Sequence, residues 1–259
     1  WNSRFGATTH GRQQYRPELY WKTLNELPRF GYNGVVIYPG GGTPIGRHAA
    51  PIVEASDGAL SLEWENTAQW KQWLGRVDAY GLDGVKLYPP CGYSPSDPGL
   101  YPYYEICAAR ALPVFVHTGP TARSLDYGPA HPMRIDRAAR DFPTVPFVLG
   151  HGGLTHVETC AYLAAYRPNV YVDTGGFASG PSLPHWPGHL NELFRLGVNH
   201  KIIFGTDWPL GRLNGGLKGL ISEVVDGPTV FAGVSRTDRN LLLRENLLRV
   251  LAPGSRPAG

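Results

Sequence analysis

Short apolar runs recur along the chain at a nearly constant interval. Most of them read as continuous apolar stretches rich in β-branched and aromatic residues, which is typical of strands buried on both faces. The seven clear runs are Gly34–Tyr38, Ala59–Glu63, Gly84–Tyr88, Val114–His117, Phe147–His151, Val170–Asp173 and Ile202–Thr206, and Arg4–His10 is a weaker eighth candidate. From Phe5 to Ile202 the runs recur roughly every 28 residues, about the length of one strand–helix unit.

The segments between these runs carry apolar residues at i, i+3 and i+4, which predicts amphipathic helices. These segments are Glu18–Phe30, Asn66–Tyr80, Pro102–Leu112, Pro132–Phe142, Thr155–Tyr166, Leu190–Leu196 and Asp238–Leu251. Thr155 and Glu158 have the spacing of a capping box, so we expect their side chains to bond the first free amides of a helix.

Strands that alternate with helices predict a parallel α/β sheet, and eight such units predict closure into a (β/α)8 TIM barrel. An open, doubly wound sheet is the alternative, but no glycine fingerprint follows the first strand. We expect a single barrel domain over residues 1–252 and a frayed tail over residues 253–259.

Composition narrows the class of partner. Apolar residues make up 42% and charged residues 17% of the 259 residues, which is typical of a globular chain with a core. A net charge of only +3, without a basic cluster, argues against nucleic acid as a partner. No apolar run approaches the ~20 residues of a membrane span. The three cysteines form no CxxC pattern, so we expect a reduced compartment and a cytoplasmic location.

Polar side chains close several of the otherwise apolar strands. They are His10, Glu63, Lys86 with Tyr88, His117, His151, Asp173 and Asp207. The carboxyl ends of the strands meet at the mouth of a parallel barrel. Each imidazole or carboxylate buried there needs a partner, and one divalent cation could be the partner of all of them. Imidazole and carboxylate donors without thiolate suit zinc, our first expectation, or manganese or iron. We therefore predict metal ligation by His10, His117, His151 and Asp207, with Glu63 and Lys86 as further candidates.

Structural roles compete with these functional ones. Asp207 precedes Pro209 and has the position of a helix N-cap, and His117 could simply bond its neighbouring loop. Asp173 precedes Thr174-Gly-Gly176, so its carboxylate could hold that loop through side-chain-to-backbone bonds. The convergence of several such groups on one mouth favours the functional interpretation.

The succession GVKLYPP, PVFVHTG, FVLGHGG, NVYVDTGG, KIIFGTDWP and NLLRVL resembles the amidohydrolase-related family, in the branch of aminocarboxymuconate-semialdehyde decarboxylase and several lactonases. The resemblance implies a (β/α)8 barrel with one or two divalent metals at its mouth. It implies that His117 is a metal ligand and that Asp207 is both ligand and general base. It implies that His151 contacts the reacting carbonyl or carboxylate, or joins a second metal.

One departure from the family pattern lies in the first strand. The family has an HxH pair there, whereas this chain has Thr8-Thr9-His10 and so keeps only the second histidine. Threonine is a poor ligand for a divalent cation. Either Glu63 or Lys86 fills the gap, or the site keeps an open position, or metal binding is lost.

Four functions remain open on these residues. The first is a hydrolase that splits a lactone, amide or ester, with Asp207 and His151 as its catalytic residues. The second is a metal-dependent, non-oxidative decarboxylase, which would use the same groups. The third is a mononuclear or dinuclear non-haem iron oxygenase, because iron held by two histidines and a carboxylate has open coordination positions. A degenerate, non-catalytic binding subunit is the fourth.

Aromatic residues are dense in the loops that follow the strands, so we expect a small, partly apolar or aromatic substrate. Tyr88, Trp186 and Trp208 are predicted to contact it, and Arg123 could hold a substrate carboxylate. A homodimer is the expected oligomer, as for many soluble enzymes.

Overall fold

The computed structural model describes residues 84–121, 125–177, 185–207 and 234–251. This part of the chain contains the predicted strands from Gly84–Tyr88 onward. The strand predictions Arg4–His10, Gly34–Tyr38 and Ala59–Glu63, and the helix predictions Glu18–Phe30 and Asn66–Tyr80, lie outside the described residues.

Within the described residues, five strands form one parallel sheet in the order of the chain. They are Val85–Leu87 (β1), Val114–His117 (β2), Phe147–Gly150 (β3), Val170–Asp173 (β4) and Ile202–Ile203 (β5). Val114 pairs with both Val85 and Phe147, and Phe147 pairs in turn with Val170. Each crossover therefore returns to the next position in the same sheet, as in a (β/α) barrel.

The last strand is shorter than predicted. The sequence predicts Ile202–Thr206, but only Ile202–Ile203 pair with β4. The backbone then leaves the ladder, because the Phe204 amide donates to the Leu242 carbonyl and the Gly205 amide donates to the Thr174 hydroxyl. Phe204 and Gly205 thus bond other segments and do not continue the pairing with β4.

Helices connect the strands within the described ranges. They are Tyr101–Ala109 (α1), Asp136–Asp141 (α2), Val157–Tyr166 (α3), Trp186–Arg195 (α4), Arg236–Asn240 (α5) and Asn246–Leu251 (α6), with a π-helical turn at Leu241–Glu245. Single turns of 3-10 helix are Pro89–Cys91, Pro98–Leu100, Gly128–Ala130, Pro132–Ile135 and Asn199–Lys201. His151–His156 contains 3-10 turns interrupted by a kink at Gly152, Gly153 and Leu154. The predicted helix Pro132–Phe142 is therefore a 3-10 turn followed by α2, and Leu190–Leu196 is the later part of α4.

The predicted capping box at the start of α3 is wrong. The helix begins at Val157, and its N-cap residue His156 makes no side-chain capping bond. Thr155 bonds elsewhere, because its hydroxyl lies 2.6 Å from the Tyr127 hydroxyl. The preceding glycines Gly152 and Gly153 adopt positive φ, and they carry the chain through a kink before the helix starts.

Alternation along the strands gives the sheet two different faces. Leu87, Val116 and Leu149 point to one face and pack in the main hydrophobic core, which also contains Tyr104 and Leu193 from the helices. The other face holds a smaller cluster. Its members are Val148 and Ile203 with Val250 from α6, together with the partly buried Phe115, Tyr171 and Leu247.

The smaller cluster shares its face with chemically reactive residues. Two residues beyond Phe115 on β2 is His117, two beyond Tyr171 on β4 is Asp173, and Lys86 lies in register with Phe115. The carboxyl-terminal part of this face therefore collects polar side chains, while α6 covers apolar ones toward the amino-terminal part.

Two cysteines are reduced and buried. Cys107 and Cys160 are buried free cysteines. Burial raises the pKa of the Cys107 thiol to about 12, so it stays a thiol at neutral pH.

Across the described ranges, no helix is both long and apolar enough to cross a membrane.

Candidate active site

Two buried imidazoles meet at the carboxyl ends of β2 and β3. His117 is the last residue of β2, and His151 directly follows β3. His151 Nε2 lies 2.9 Å from His117 Nδ1, and the two rings meet edge to face. Both residues are almost closed to solvent, at 4% and 6% exposure. The predicted convergence of these two strand-end histidines is therefore present in the structure.

Backbone carbonyls fix the tautomers of both rings. His117 Nε2 faces the carbonyls of Gly119 and Pro120 at 2.9 and 3.1 Å, and His151 Nδ1 faces the Gly175 carbonyl at 2.9 Å. Carbonyl oxygens only accept hydrogen bonds, so the nitrogens facing them carry protons. In the neutral rings, the remaining lone pairs on His117 Nδ1 and His151 Nε2 then point at each other. Such a pair needs either one additional proton or a cation.

The environment of His117 favours its neutral form. Burial is the main cause that holds the pKa of His117 well below its usual value, and the nearby charges of His151 and Lys86 lower it further. The hydrogen bonds to the Gly119 and Pro120 carbonyls act in the opposite direction. A neutral imidazole is the form that coordinates metal ions. The Nδ1 lone pair of neutral His117 is thus available for a bond to a cation.

Asp207 lies on the outer side of His151. Its Oδ2 is 3.8 Å from His151 Nδ1, which is longer than a hydrogen bond but close enough for Coulombic attraction. Both residues have positive φ, 66° for His151 and 49° for Asp207. Residues other than glycine rarely adopt this backbone conformation, and such strain is concentrated at functional sites.

Lys86 extends from β1 toward the same place. A Cβ atom at Gly150 would lie only 2.9 Å from Lys86 Nζ, so the glycine at the end of β3 makes room for the ammonium group. Burial lowers the pKa of Lys86, and the charges of Asp173 and Asp207 partly counteract that effect. The amine of Lys86 therefore lies next to the end of β3, and its charge depends on the balance between burial and these two carboxylates.

Asp173 holds the loop after β4, as one of the sequence interpretations expected. Its Oδ1 accepts a hydrogen bond from the Gly175 amide at 2.9 Å. Burial raises the pKa of its carboxyl group, although His151, the Gly175 amide and Lys86 act in the opposite direction. The repeated glycines after a strand-end aspartate were the sequence signal for this arrangement.

The aromatic candidates are placed differently from one another. Tyr88 lies against the site, with its ring centroid 4.3 Å from that of His117 and its hydroxyl 2.7 Å from the Thr121 hydroxyl. Trp186 begins α4 inside the main hydrophobic core and is only 1% exposed. The predicted place of Trp186 in a mouth loop is therefore wrong, because the indole packs among apolar side chains instead.

The remaining candidates lie outside the described residues. They are the predicted ligand His10 with its neighbour Thr8, Glu63, and the predicted substrate contacts Arg123 and Trp208. Within the described ranges, no group of three or more His, Cys, Asp or Glu side chains is arranged to hold a metal ion. Among the described candidates, His117, His151 and Asp207 lie close together.

Comparison with known proteins decides the family. Residues 70–251 match the sequence profile of the family described as Amidohydrolase, which is well over half of the chain. This chain belongs to the amidohydrolase family. The protein is therefore an enzyme, as predicted, and the non-catalytic interpretation falls. The narrower branch suggested by the sequence stays a prediction.

Solved structures confirm the barrel. An uncharacterized TIM-barrel protein from Bordetella bronchiseptica aligns over 93% of this chain and 86% of its own, with a TM-score of 0.63 and 21% identity. An amidohydrolase from Burkholderia multivorans with bound zinc aligns over 89% of this chain and 87% of its own, with a TM-score of 0.59 and 17% identity. The predicted (β/α)8 TIM barrel is thus confirmed.

Two further relatives extend the comparison. A 4-oxalomesaconate hydratase from Rhodopseudomonas palustris aligns over 93% of this chain and 82% of its own, with a TM-score of 0.57 and 14% identity. The curated protein fluG of Emericella nidulans is 26% identical over 95 residues, which is 37% of this chain and 11% of that protein. The chain therefore spans only a small part of this curated relative.

Proposed function

We propose that this enzyme is a metal-dependent hydrolase that splits a lactone, amide or ester bond by water attack beside His117, His151 and Asp207. One observation carries the proposal. Backbone carbonyls hold both imidazoles in the tautomers whose lone pairs converge, at a nitrogen separation of 2.9 Å. A cation between the rings would remove the repulsion of those lone pairs.

The contacts of the outer nitrogens support metal binding. Histidines that ligate metals almost always donate their other ring N–H to a carbonyl or carboxylate, which fixes the tautomer and the ring orientation. His117 donates to Gly119 and Pro120, and His151 donates to Gly175. The residues therefore fit a divalent cation, held by His117 Nδ1 and His151 Nε2. We propose that Asp207 and His10 complete its ligands, with Glu63 and Lys86 as further candidates.

When bound, a divalent cation lowers the pKa of a coordinated water toward about 7 and polarises a substrate carbonyl. We propose zinc as this ion, because nitrogen and oxygen donors suit it, with manganese or iron as alternatives and room for one or two ions. The zinc-containing neighbour from Burkholderia multivorans, which shares the fold, is consistent with this choice.

Asp207 and Lys86 have further proposed roles in the reaction. The Asp207 carboxylate accepts a proton from the attacking water. The Asp207 carboxylate also faces the Nδ1 side of His151, with Oδ2 3.8 Å from Nδ1. If Lys86 is not itself a ligand, its protonated form would add positive charge where negative charge develops on the reacting oxygen.

The substrate we propose is a small, partly apolar or aromatic organic molecule. Tyr88 supports this class, because its buried ring packs against His117 and so forms part of the wall beside the site. Trp208 and Arg123 remain proposed contacts for an apolar group and for a carboxylate. We propose no nucleic-acid or membrane partner, and a homodimer as the assembly.

Elemental analysis of the active protein tests the metal. Protein purified without chelators should contain about one divalent ion per chain, and His117→Ala should lose it. His156→Ala is the matched control, since it removes a partly buried imidazole outside the pair and should keep the ion. Active protein without any divalent ion would disprove the proposal.

Turnover assays separate the proposed reaction from its alternatives. A panel of aryl lactones, aryl esters and anilides should include a compound that the zinc-loaded enzyme hydrolyses under nitrogen. A requirement for iron and oxygen would instead identify an oxygenase, and release of carbon dioxide from a carboxylated substrate would identify a decarboxylase.

A further inference from the structure

A carboxylate, a backbone turn and an imidazole form a chain of contacts behind the metal-binding face of His151. Asp173 ends β4, and its Oδ1 accepts a hydrogen bond from the Gly175 amide at 2.9 Å. The carbonyl of the same residue, Gly175, accepts the Nδ1 proton of His151 at 2.9 Å. One glycine therefore connects the carboxylate to the ring.

The turn that carries Gly175 is tied down on several sides. The Thr174 amide donates to the Ile203 carbonyl, and the Phe177 amide donates to the Thr174 carbonyl. The Thr174 hydroxyl accepts from the Gly205 amide. These bonds fix the ends of the turn, but the Gly175 amide itself is held by Asp173.

The surroundings leave little space for another arrangement. A Cβ atom at Gly205 would lie 1.9 Å from Asp173 Oδ1 and 3.0 Å from the Gly175 nitrogen, so this glycine opens the space that the carboxylate fills. A Cβ atom at Gly176 would lie 3.2 Å from His151 Nδ1 and 3.7 Å from Asp207 Oδ2. The turn thus packs directly against the ring and the neighbouring carboxylate.

We infer that Asp173 is a positioning residue that fixes the tautomer and orientation of His151 by holding the Gly175 carbonyl against Nδ1. The inference rests on the proposed function, because it assigns His151 Nε2 to the metal. The Gly175 amide belongs to the peptide unit before its Cα and the Gly175 carbonyl to the unit after it, so Asp173 acts by fixing the position of Gly175 itself. Without the Asp173 bond, the peptide before Gly175 could rotate and carry the carbonyl away, and His151 would lose the partner that keeps its proton on Nδ1. Asp173 therefore acts through the turn and does not itself contact substrate or metal.

Three substitutions separate this role from a general effect on folding. Asp173→Ala removes the acceptor of the Gly175 amide. Asp173→Asn keeps an acceptor oxygen of nearly the same shape and should restore the turn. Asp97→Ala is the matched control, because the half-buried Asp97 carboxylate accepts from the Gly99 amide at 2.8 Å in the same i to i+2 pattern, away from His151.

The first measurement is independent of activity and metal. Nitrogen-15 NMR of the histidine rings in metal-free protein reports which nitrogen of His151 carries the proton, with His151→Gln used for assignment. The wild type, Asp173→Asn and Asp97→Ala should show a proton on Nδ1 that exchanges slowly with solvent. Asp173→Ala should lose this signal or move the proton to Nε2.

The second measurement is zinc affinity, determined by competition with a chromophoric chelator. Asp173→Ala should bind zinc about 10- to 100-fold more weakly than the wild type, as is typical when an outer partner of a ligating histidine is removed. Asp173→Asn and Asp97→Ala should bind like the wild type.

The outcomes distinguish this inference from the proposed function. An unchanged His151 signal in Asp173→Ala would overturn the positioning role, and so would an Asp173→Asn variant as impaired as Asp173→Ala. If the wild type bound no zinc, manganese or iron, the metal site would fail, whereas the NMR comparison would still decide the role of Asp173.

Discussion

Lys86 and Lys201 are buried to nearly the same extent, at 7% and 8% exposure, but their ammonium groups lie at opposite ends of the sheet. Lys201 immediately precedes β5, and its ammonium group donates to the Ala164 and Arg167 carbonyls at 2.6 and 2.7 Å. Lys86 lies in β1 and reaches toward Gly150 at the carboxyl end of β3. Among the described contacts, no hydrogen bond or close ion pair holds the Lys86 ammonium group.

The neighbouring polar residues repeat this contrast. At the amino ends, the Asn169 amide donates to three backbone carbonyls, and the Asn246 amide donates to two. At the carboxyl ends, His117 Nδ1 and His151 Nε2 lie 2.9 Å apart, and His151 and Asp207 have positive φ.

The comparison shows that burial of polar groups does not identify a catalytic site. At the amino ends the ammonium and amide donors bond backbone carbonyls, which stabilises the fold, while the side-chain oxygens of Asn169 and Asn246 have no partner among the described residues. At the carboxyl ends the polar side chains lie against one another, at the end of the sheet where parallel barrels carry their functional groups.

The largest expected effect separates catalysis from stability. Asp207→Asn should lower kcat by at least ~10²-fold on the best substrate of the lactone, ester and anilide panel, because it removes the proposed general base. Its thermal unfolding should match that of the wild type. Asn169→Ala should do the reverse, with unchanged kcat per folded molecule and a loss of about 2–3 kcal/mol, because backbone carbonyls lose their donors. A fully active Asp207→Asn enzyme would contradict the comparison.

The two lysines test the same contrast with one type of substitution. Lys201→Met should reduce the free energy of unfolding by about 1–3 kcal/mol, since two carbonyls lose a charged donor. Lys86→Met should change it by no more than about 1 kcal/mol, because losing attraction to Asp173 and Asp207 is offset by no longer burying a charge. Urea denaturation of both variants at pH 7.5 measures the difference. The opposite order would show that Lys86 is mainly structural.

The smallest expected effect is a dependence of stability on pH. Burial holds the pKa of folded His117 well below its value in the unfolded chain, near 6.5. Below pH 6.5 the unfolded state therefore binds a proton that the native state does not, and stability falls as the pH falls. The slope from this one group approaches about 1.4 kcal/mol per pH unit.

His117→Gln should lose this contribution. Denaturant unfolding of metal-free wild type and variant between pH 7.5 and 5 should show the shallower decline in the variant. Parallel pH profiles would mean that His117 is as readily protonated in the folded protein as in the unfolded chain.

Much of the architecture could be predicted from apolar periodicity. The strands from Gly84–Tyr88 onward lie where predicted, because side chains buried on both faces leave continuous apolar runs that local pattern reveals. Element boundaries were harder to predict. The ends of β5 and the start of α3 depend on the partners of Phe204 and Thr155, which come from distant segments.

The proximity of some candidate residues could be predicted, whereas their roles stay predictions. His117, His151 and Asp207 lie near one another as expected, because polar residues that close apolar strands of a parallel sheet end at the same edge. Trp186 was misplaced, since an aromatic residue near a loop can pack either in the mouth or in the core. The contact of Tyr88 with His117 was not predicted in detail, because ring packing depends on side-chain rotamers.

By itself, the sequence determined the order of the strands and which residue types stand at their carboxyl ends, because periodicity and strand length are local properties of the chain. Only the tertiary structure decided which nitrogen of each histidine faces the other, and that Asp173 reaches His151 through Gly175. Those relations depend on backbone carbonyls, whose directions follow from φ and ψ angles and not from the identity of the residues that carry them.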